Sequence, residues 1–381
     1  MTMTETEQPS LFDLLCRRWD LSSPVIALAF TPNSGSVAFL DRDGRFWQTT
    51  TADPESPNHR MRVAGDTGRM TISPRRKPPP ELQPFALEDR ITCFAPLQTD
   101  RFAVGCETGR LVSVTSTGRI TALAREEEAL EAICAAGSAQ GIIASAGGTI
   151  RHHPSDGRTS QIIRIGTGHV TALASTSDGA SVAWLDDAGV GIGFNGIDTD
   201  IRIPLESEPD ARTTSSLAWN RRGDWLGVAS GGRAISLAQF GNRYLRQTLS
   251  RKDYPAPVTE MSWSDNGDLL ATNGAFRAIV WDVAGIDNEI GGVAATIVTG
   301  RPRLIPVSAI ALHPRKPLVA VGYENGSIIV AQVGEQQELV ISETLWECPT
   351  SMRWSSDGHH LAMGTQGGMA AVLTFPPTFF K

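Results

Sequence analysis

Apolar and polar residues alternate along this chain in short runs, and tight-turn residues cut the runs at regular places. The stretch Val258–Val283 shows the pattern most clearly. The run MSW is followed by Asp265-Asn266-Gly267, LLAT by Asn273-Gly274, and AIVW closes at Trp281-Asp282. Successive strand side chains point to opposite faces, so short alternating runs bounded by Asn-Gly turns predict three antiparallel strands.

The meander recurs along the chain. A first-strand signature, V-x-x-L-x-x, starts at Val25 (VIALAF), Ile91 (ITCFAP), Leu130 (LEAICA), Val170 (VTALAS), Thr214 (TSSLAW), Val258 (VTEMSW), Val307 (VSAIAL) and Pro349 (PTSMRW). Its fourth column is always apolar: Leu28, Phe94, Ile133, Leu173, Leu217, Met261, Ile310 and Met352. The starts are separated by 66, 39, 40, 44, 44, 49 and 42 residues. Apart from the first, these spacings match a four-stranded propeller blade of roughly 40–45 residues.

A second strand follows each turn and carries a small residue at one place: Ala38, Ala103, Ala144, Ala183, Gly227, Ala271, Ala320 and Ala362. Blades converge on an axis, where large side chains would clash, which explains such a column. A second turn then leads to a third strand, and most units offer a fourth β-capable segment, such as RITAL from Arg119 or ELVISETL from Glu338. The last unit ends at Phe375 without a fourth strand, while Leu11–Trp19 is a spare β-capable run before the first unit. Pairing the two closes a ring and removes its open edges.

The chain resembles the WD-repeat β-propeller family over about Leu11 to Phe375, and within it a divergent, bacterial-type member. The marks are Trp281-Asp282 closing a third strand, Gly168-His169 directly before VTAL, and the SDG and DNG turns. The resemblance implies an all-β fold of four-stranded antiparallel blades. Eight units are counted here, with seven blades as the alternative. It also implies a hydrogen-bonded His, Ser/Thr, Asp and Trp network within a blade. His169, Ser181 and Asp187 supply three members, but the matching third strand, VGIGF, has no Trp. Trp281 and Asp282 belong to the same structural set, as blade packing and turn chemistry.

The expected organisation is a flexible segment over 1–10, one propeller over 11–375 with 11–19 as its closing strand, and a tail over 376–381. The interval after the first unit holds an insertion over 48–90, rich in Pro, Gly and charge. In it Arg75, Arg76 and Lys77 precede Pro78-Pro79-Pro80. Such a segment reads either as a docking arm, pre-ordered by its prolines, or as a surface loop.

Bulk composition narrows the function. Of 381 residues, 34 are Lys or Arg and 41 Asp or Glu, a net charge of −7. Phosphate binding needs clustered positive charge, so the acidic balance argues against a nucleic-acid partner. No apolar run of about 18 residues occurs, so no membrane span is expected. Nothing resembles a secretory signal, and five cysteines without a CxxC pair read as buried hydrophobes, which suits a cytoplasmic protein.

No P-loop, dinucleotide fingerprint, G-x-S-x-G elbow or H-E-x-x-H appears, and no cofactor or metal is expected. Of seven histidines, His152-His153 point to opposite sheet faces, while His313 and His359-His360 fall at turns on one rim. The turns between second and third strands hold Asp41, Asp43, Glu107, Asp186, Asp187 and Glu324, beside Tyr323. Projecting together, these acids would steer a basic peptide or protein surface. The expected function is a non-enzymatic scaffold for a protein or peptide partner. The alternatives are a metal- or ligand-binding accessory protein, for example beside a metal-handling GTPase, and less favoured, a propeller hydrolase with a loop-built site.

Overall fold

Each of the eight repeat units folds as its own antiparallel sheet, and the sheets stand around a common axis. The computed structural model describes residues 9–66, 70–97, 100–137, 141–156, 158–166, 168–194, 197–203, 205, 215–241, 244–284, 286, 295–343, 345 and 347–380, with backbone alone at 197–200 and 295. Blades 1 to 8 open with the strands Val25–Phe30, Ile91–Leu97, Leu130–Ala135, Ala172–Ser175, Ser216–Trp219, Met261–Trp263, Val307–Leu312 and Pro349–Trp354. Blades 2 to 7 have four strands each in simple up-and-down order. The count is therefore eight, not seven.

The V-x-x-L spacing has a specific cause. Residues three apart in a regular strand face opposite sides. In blades 1, 2, 3, 7 and 8 the pairing register shifts just after the first residue, as between Val25 and Ala27 and between Val307 and Ala309. Such a bulge inserts one residue and turns the first and fourth side chains to the same face. Val25, Leu28 and Phe30 consequently share one buried cluster, as do Val307, Ile310 and Leu312. These clusters lie between neighbouring blades: Leu40 and Phe46 of blade 1 pack on Ile91 and Phe102 of blade 2.

Blade 8 closes as expected. The strand Cys16–Asp20 pairs antiparallel with Met369–Thr374, from Cys16 opposite Leu373 to Asp20 opposite Met369. The strand is shorter than the expected 11–19. Leu11–Leu15 instead forms a short helix, because Ser10 and Asp13 make a reciprocal capping box that satisfies its free N–H groups. Phe12 and Leu15 of this helix are buried against blades 7 and 8. Of the segment 1–10, only Pro9 and Ser10 are described. At the other end Phe379 and Phe380 pack on Phe375, and Phe380 also reaches Trp354 and His313.

Blade 1 has three strands and a substitute for the fourth. Pro84 bridges to Trp47, and the Phe85 N–H donates to the Phe46 carbonyl at 2.7 Å. The rest of the insertion folds over the closing strand. Met61–Val63 and Met70–Ile72 make a separate two-stranded hairpin. The Trp19 indole donates to the Pro80 carbonyl at 2.7 Å, and Leu82 packs on the blade 8 and blade 1 cluster.

Candidate functional site: the central channel and its rim

The first strand of each blade is its inner edge, so its outward N–H and C=O groups meet the channel rather than another strand. Blades 6, 7 and 8 satisfy several of these groups with side chains from one another. Glu260, just before the first strand of blade 6, accepts from the Ile310 N–H of blade 7 at 3.0 Å and the Met352 N–H of blade 8 at 3.3 Å. Ser262 accepts from the Leu312 N–H at 2.9 Å. Arg353 of blade 8 donates back to the Met261 carbonyl of blade 6 at 3.1 Å. Burial pushes the Glu260 carboxyl above its ordinary pKa, although Arg353, Ser351 and the two backbone donors favour its charged form.

This crossbar separates two cavities. The upper, of about 720 Å³, opens among the turns that lead into the first strands and those that follow the second, with Pro24, Pro257, Arg42 and Glu324 around it. The lower, of about 860 Å³, opens on the opposite face among the turns that follow the first strands, near Ser177, Asp265 and Pro314. Arg353 and Ser216 line both.

The acidic side chains expected on the upper face divide into two sets. Asp41, Asp186 and Tyr323 are the last residues of their second strands and are buried. Asp41 accepts from the Trp47 indole at 3.0 Å and the Arg45 N–H at 2.9 Å. Asp186 pairs with Arg164 at 2.8 Å and Arg202 at 3.5 Å. Arg303 lies over the Tyr323 ring at 4.8 Å. These three cannot touch a partner, which corrects that part of the expectation. Asp43, Glu107, Asp187 and Glu324 are exposed on the turns themselves. Asp43 also lies 3.4 Å from Arg45.

The basic triplet divides in the same way. Arg75 grips Asp53 with two nitrogens at 2.6 and 2.8 Å, and Arg17 of the closing strand lies 3.9 Å from the same carboxylate. Arg75 is thus an anchor of the insertion, while Arg76 and Lys77 remain exposed and lend only their backbone N–H groups to Glu55. In the run Glu126-Glu127-Glu128, Glu126 is buried. It pairs with Arg151, and His153 Nε2 lies 3.0 Å away.

The expected network of His169, Ser181 and Asp187 does not form. Ser181 begins the second strand and Asp187 follows its end, so the length of that strand separates them. His169 turns instead to Glu131 of blade 3 at 2.9 Å. Burial works against the charge of Glu131, but bonds from Ser145, His169 and the Val170 N–H outweigh it and hold its carboxyl below the usual range. Blade 6 carries a working counterpart that the sequence reading missed: the Tyr254 hydroxyl meets Thr272 Oγ1 at 3.1 Å beside buried Trp281. The signal was a lone Tyr four residues before Val258. Asp282 accepts from the Ala284 N–H at 3.0 Å, the turn role expected of it.

His313 is buried with both ring nitrogens occupied. Nε2 donates to the Gly358 carbonyl at 3.1 Å, and Nδ1 accepts from the Arg315 and Lys316 N–H groups at 3.1 Å. This fixes a neutral ring, and burial lowers its pKa to about 4. Among the described residues no group of three or more His, Cys, Asp or Glu converges as a metal would need. The cysteines are unpaired, and burial pushes Cys93 and Cys134 up to about 12. Among the described residues no helix is long and apolar enough to cross a membrane.

The fold finds counterparts among solved structures. The computationally designed Ika8 protein superimposes with a TM-score of 0.64 over 95% of this chain and 99% of its own, at 17% identity. The C-terminal WD40 domain of Sif2 gives 0.59 over 94% of this chain and 99% of its own, at 12% identity. The β-propeller domain of Cps50 (Swd1) from Myceliophteria thermophila gives 0.52 over 75% of this chain and 96% of its own, at 15% identity. The fold is a WD40-like β-propeller. At these identities the likeness concerns the fold alone. No family model and no curated protein matches the sequence of this WD40-like chain.

Proposed function

We propose that this WD40-like propeller is a non-catalytic protein-interaction platform that receives a basic partner on the upper face. The observation that carries the reading is the composition of that face. Asp43, Glu107, Asp187 and Glu324 stand exposed on turns of four different blades. Glu324 lines the mouth of a chamber bordered also by Arg42, Pro24, Pro257 and Ile26, the last of these 43% exposed. A rigid ring presenting loops from many blades suits recognition of an extended surface, because the loops vary while the strands hold their positions. The acids raise the encounter rate with a basic surface, and the apolar residues at the chamber's border supply contact area.

The test is affinity capture with the full chain at low and high salt, beside the variant D43K/E107K/D187K/E324K. The reading expects capture that weakens with salt and is lost in the variant. Equal capture by both proteins removes it.

A further inference from the structure

Arg353 reaches the channel from blade 8. Several sheltered guanidinium groups meet a carboxylate, Arg17 and Arg75 at Asp53, Arg164 at Asp186 and Arg303 at Glu338, whereas Arg60 and Arg277 bond backbone carbonyls. Among the described residues no carboxylate lies within 4.0 Å of Arg353, and its one direct bond is from Nη1 to the Met261 carbonyl. A guanidinium carries five N–H donors in a planar fork. The closest candidate partner, Glu260, has its two oxygens committed to the Ile310 and Met352 N–H groups. The remaining donors of Arg353 therefore face the channel that it lines on both sides.

The surroundings define what would bind there. The upper chamber, about 720 Å³, is within the size range of small-molecule sites. Its wall carries the hydroxyls of Ser216, Thr259, Ser308 and Thr350, with exposed Ile26 supplying an apolar side. We infer that the upper chamber is a binding site for a small organic monocarboxylate, gripped at its floor by Arg353. The planar fork matches the two oxygens of a carboxylate. Glu260 below and Glu324 at the rim penalise a doubly charged phosphate more than a singly charged carboxylate. The site lies beneath the face proposed for the protein partner and shares Ile26 and Glu324 with it, but its grip rests on Arg353 at the crossbar.

Calorimetric titration of the full chain with butyrate and benzoate, against neutral butyramide and inorganic phosphate, tests this. Binding of a carboxylate with Kd below about 10 mM is expected, with amide and phosphate weaker by about tenfold or more. Arg353→Gln should lose about tenfold or more in affinity, and Arg353→Lys should fall between. Should Arg353→Gln fold poorly, Ile26→Trp fills the chamber from the neighbouring blade 1 without removing the Arg353 bond to Met261, and it should also abolish binding. Equal affinity for butyrate and butyramide, tighter binding of phosphate, undiminished binding by either variant, or no carboxylate binding at all overturns the assignment.

Discussion

Blades 4 and 6 solve the same packing problem in different ways. Blade 6 keeps the Trp-Asp pair, and Trp281 fills the sheet from the third strand, with Tyr254 and Thr272 beside it. Blade 4 keeps the Gly-His pair but has Gly191 on its third strand. Its tryptophan, Trp184, comes from the second strand and lies directly opposite Gly191. A Cβ at Gly191 would overlap both the Trp184 ring and the Arg202 guanidinium. Arg164 and Arg202 lie over the Trp184 ring at 5.5 and 5.3 Å, and both bind Asp186. The volume of one indole is conserved within a blade while its strand of origin is not. A motif at one corner of a blade therefore says little about what fills its middle.

Removing the acid at the centre of blade 4 should break this comparison most strongly. Asp186→Ala leaves two arginines uncompensated, one of them nearly buried, and should cost about 4 kcal/mol in urea unfolding. A cost below about 1 kcal/mol would show that the arginines stack on Trp184 without needing the acid. Gly191→Ala comes next, at about 2 kcal/mol, because the indole has no room to move. Were that variant neutral, Trp184 would not be the filler of this sheet. In blade 6, Tyr254→Phe removes one buried hydrogen bond and should cost about 1 kcal/mol by the same measurement. His169→Ala should change stability by less than about 0.5 kcal/mol, since the ring is largely exposed. A loss as large as that of Asp186→Ala would restore His169 to the centre of blade 4.

The ring and its closure were legible because they rest on repeated demands. Every second strand needs a small residue where it packs tightly, and the column from Ala38 to Ala362 is buried throughout. The channel site was not legible in this way. Glu260 and Arg353 occur once each, in columns filled elsewhere by Ala, Ser or Cys, and only the ring brings residues 92 positions apart together across the axis. The rim acids were partly legible. Their presence on the second turns was visible, but where each strand ends decides which face solvent. Asp41 is the last residue of a strand and turns inward, whereas Asp43 lies two residues on, within the turn, and is exposed. The anchoring of the insertion was not legible, because the partner of Arg75 is Asp53, 22 positions earlier in the same segment, and no spacing signals that pair.

The pairing of Cys16–Asp20 with Met369–Thr374 also bears on the order in which the molecule assembles. During synthesis the acceptor strand follows seven complete blades, so the early strand waits with its edge open while they form. Pairings between such distant segments are slow, since the loop between them must first be closed. The helix Leu11–Leu15 and the insertion, through Trp19 and Arg17, give the waiting strand local company. The last blade to be made is therefore the one whose completion converts an open arc, with a free edge at each end, into a ring with none.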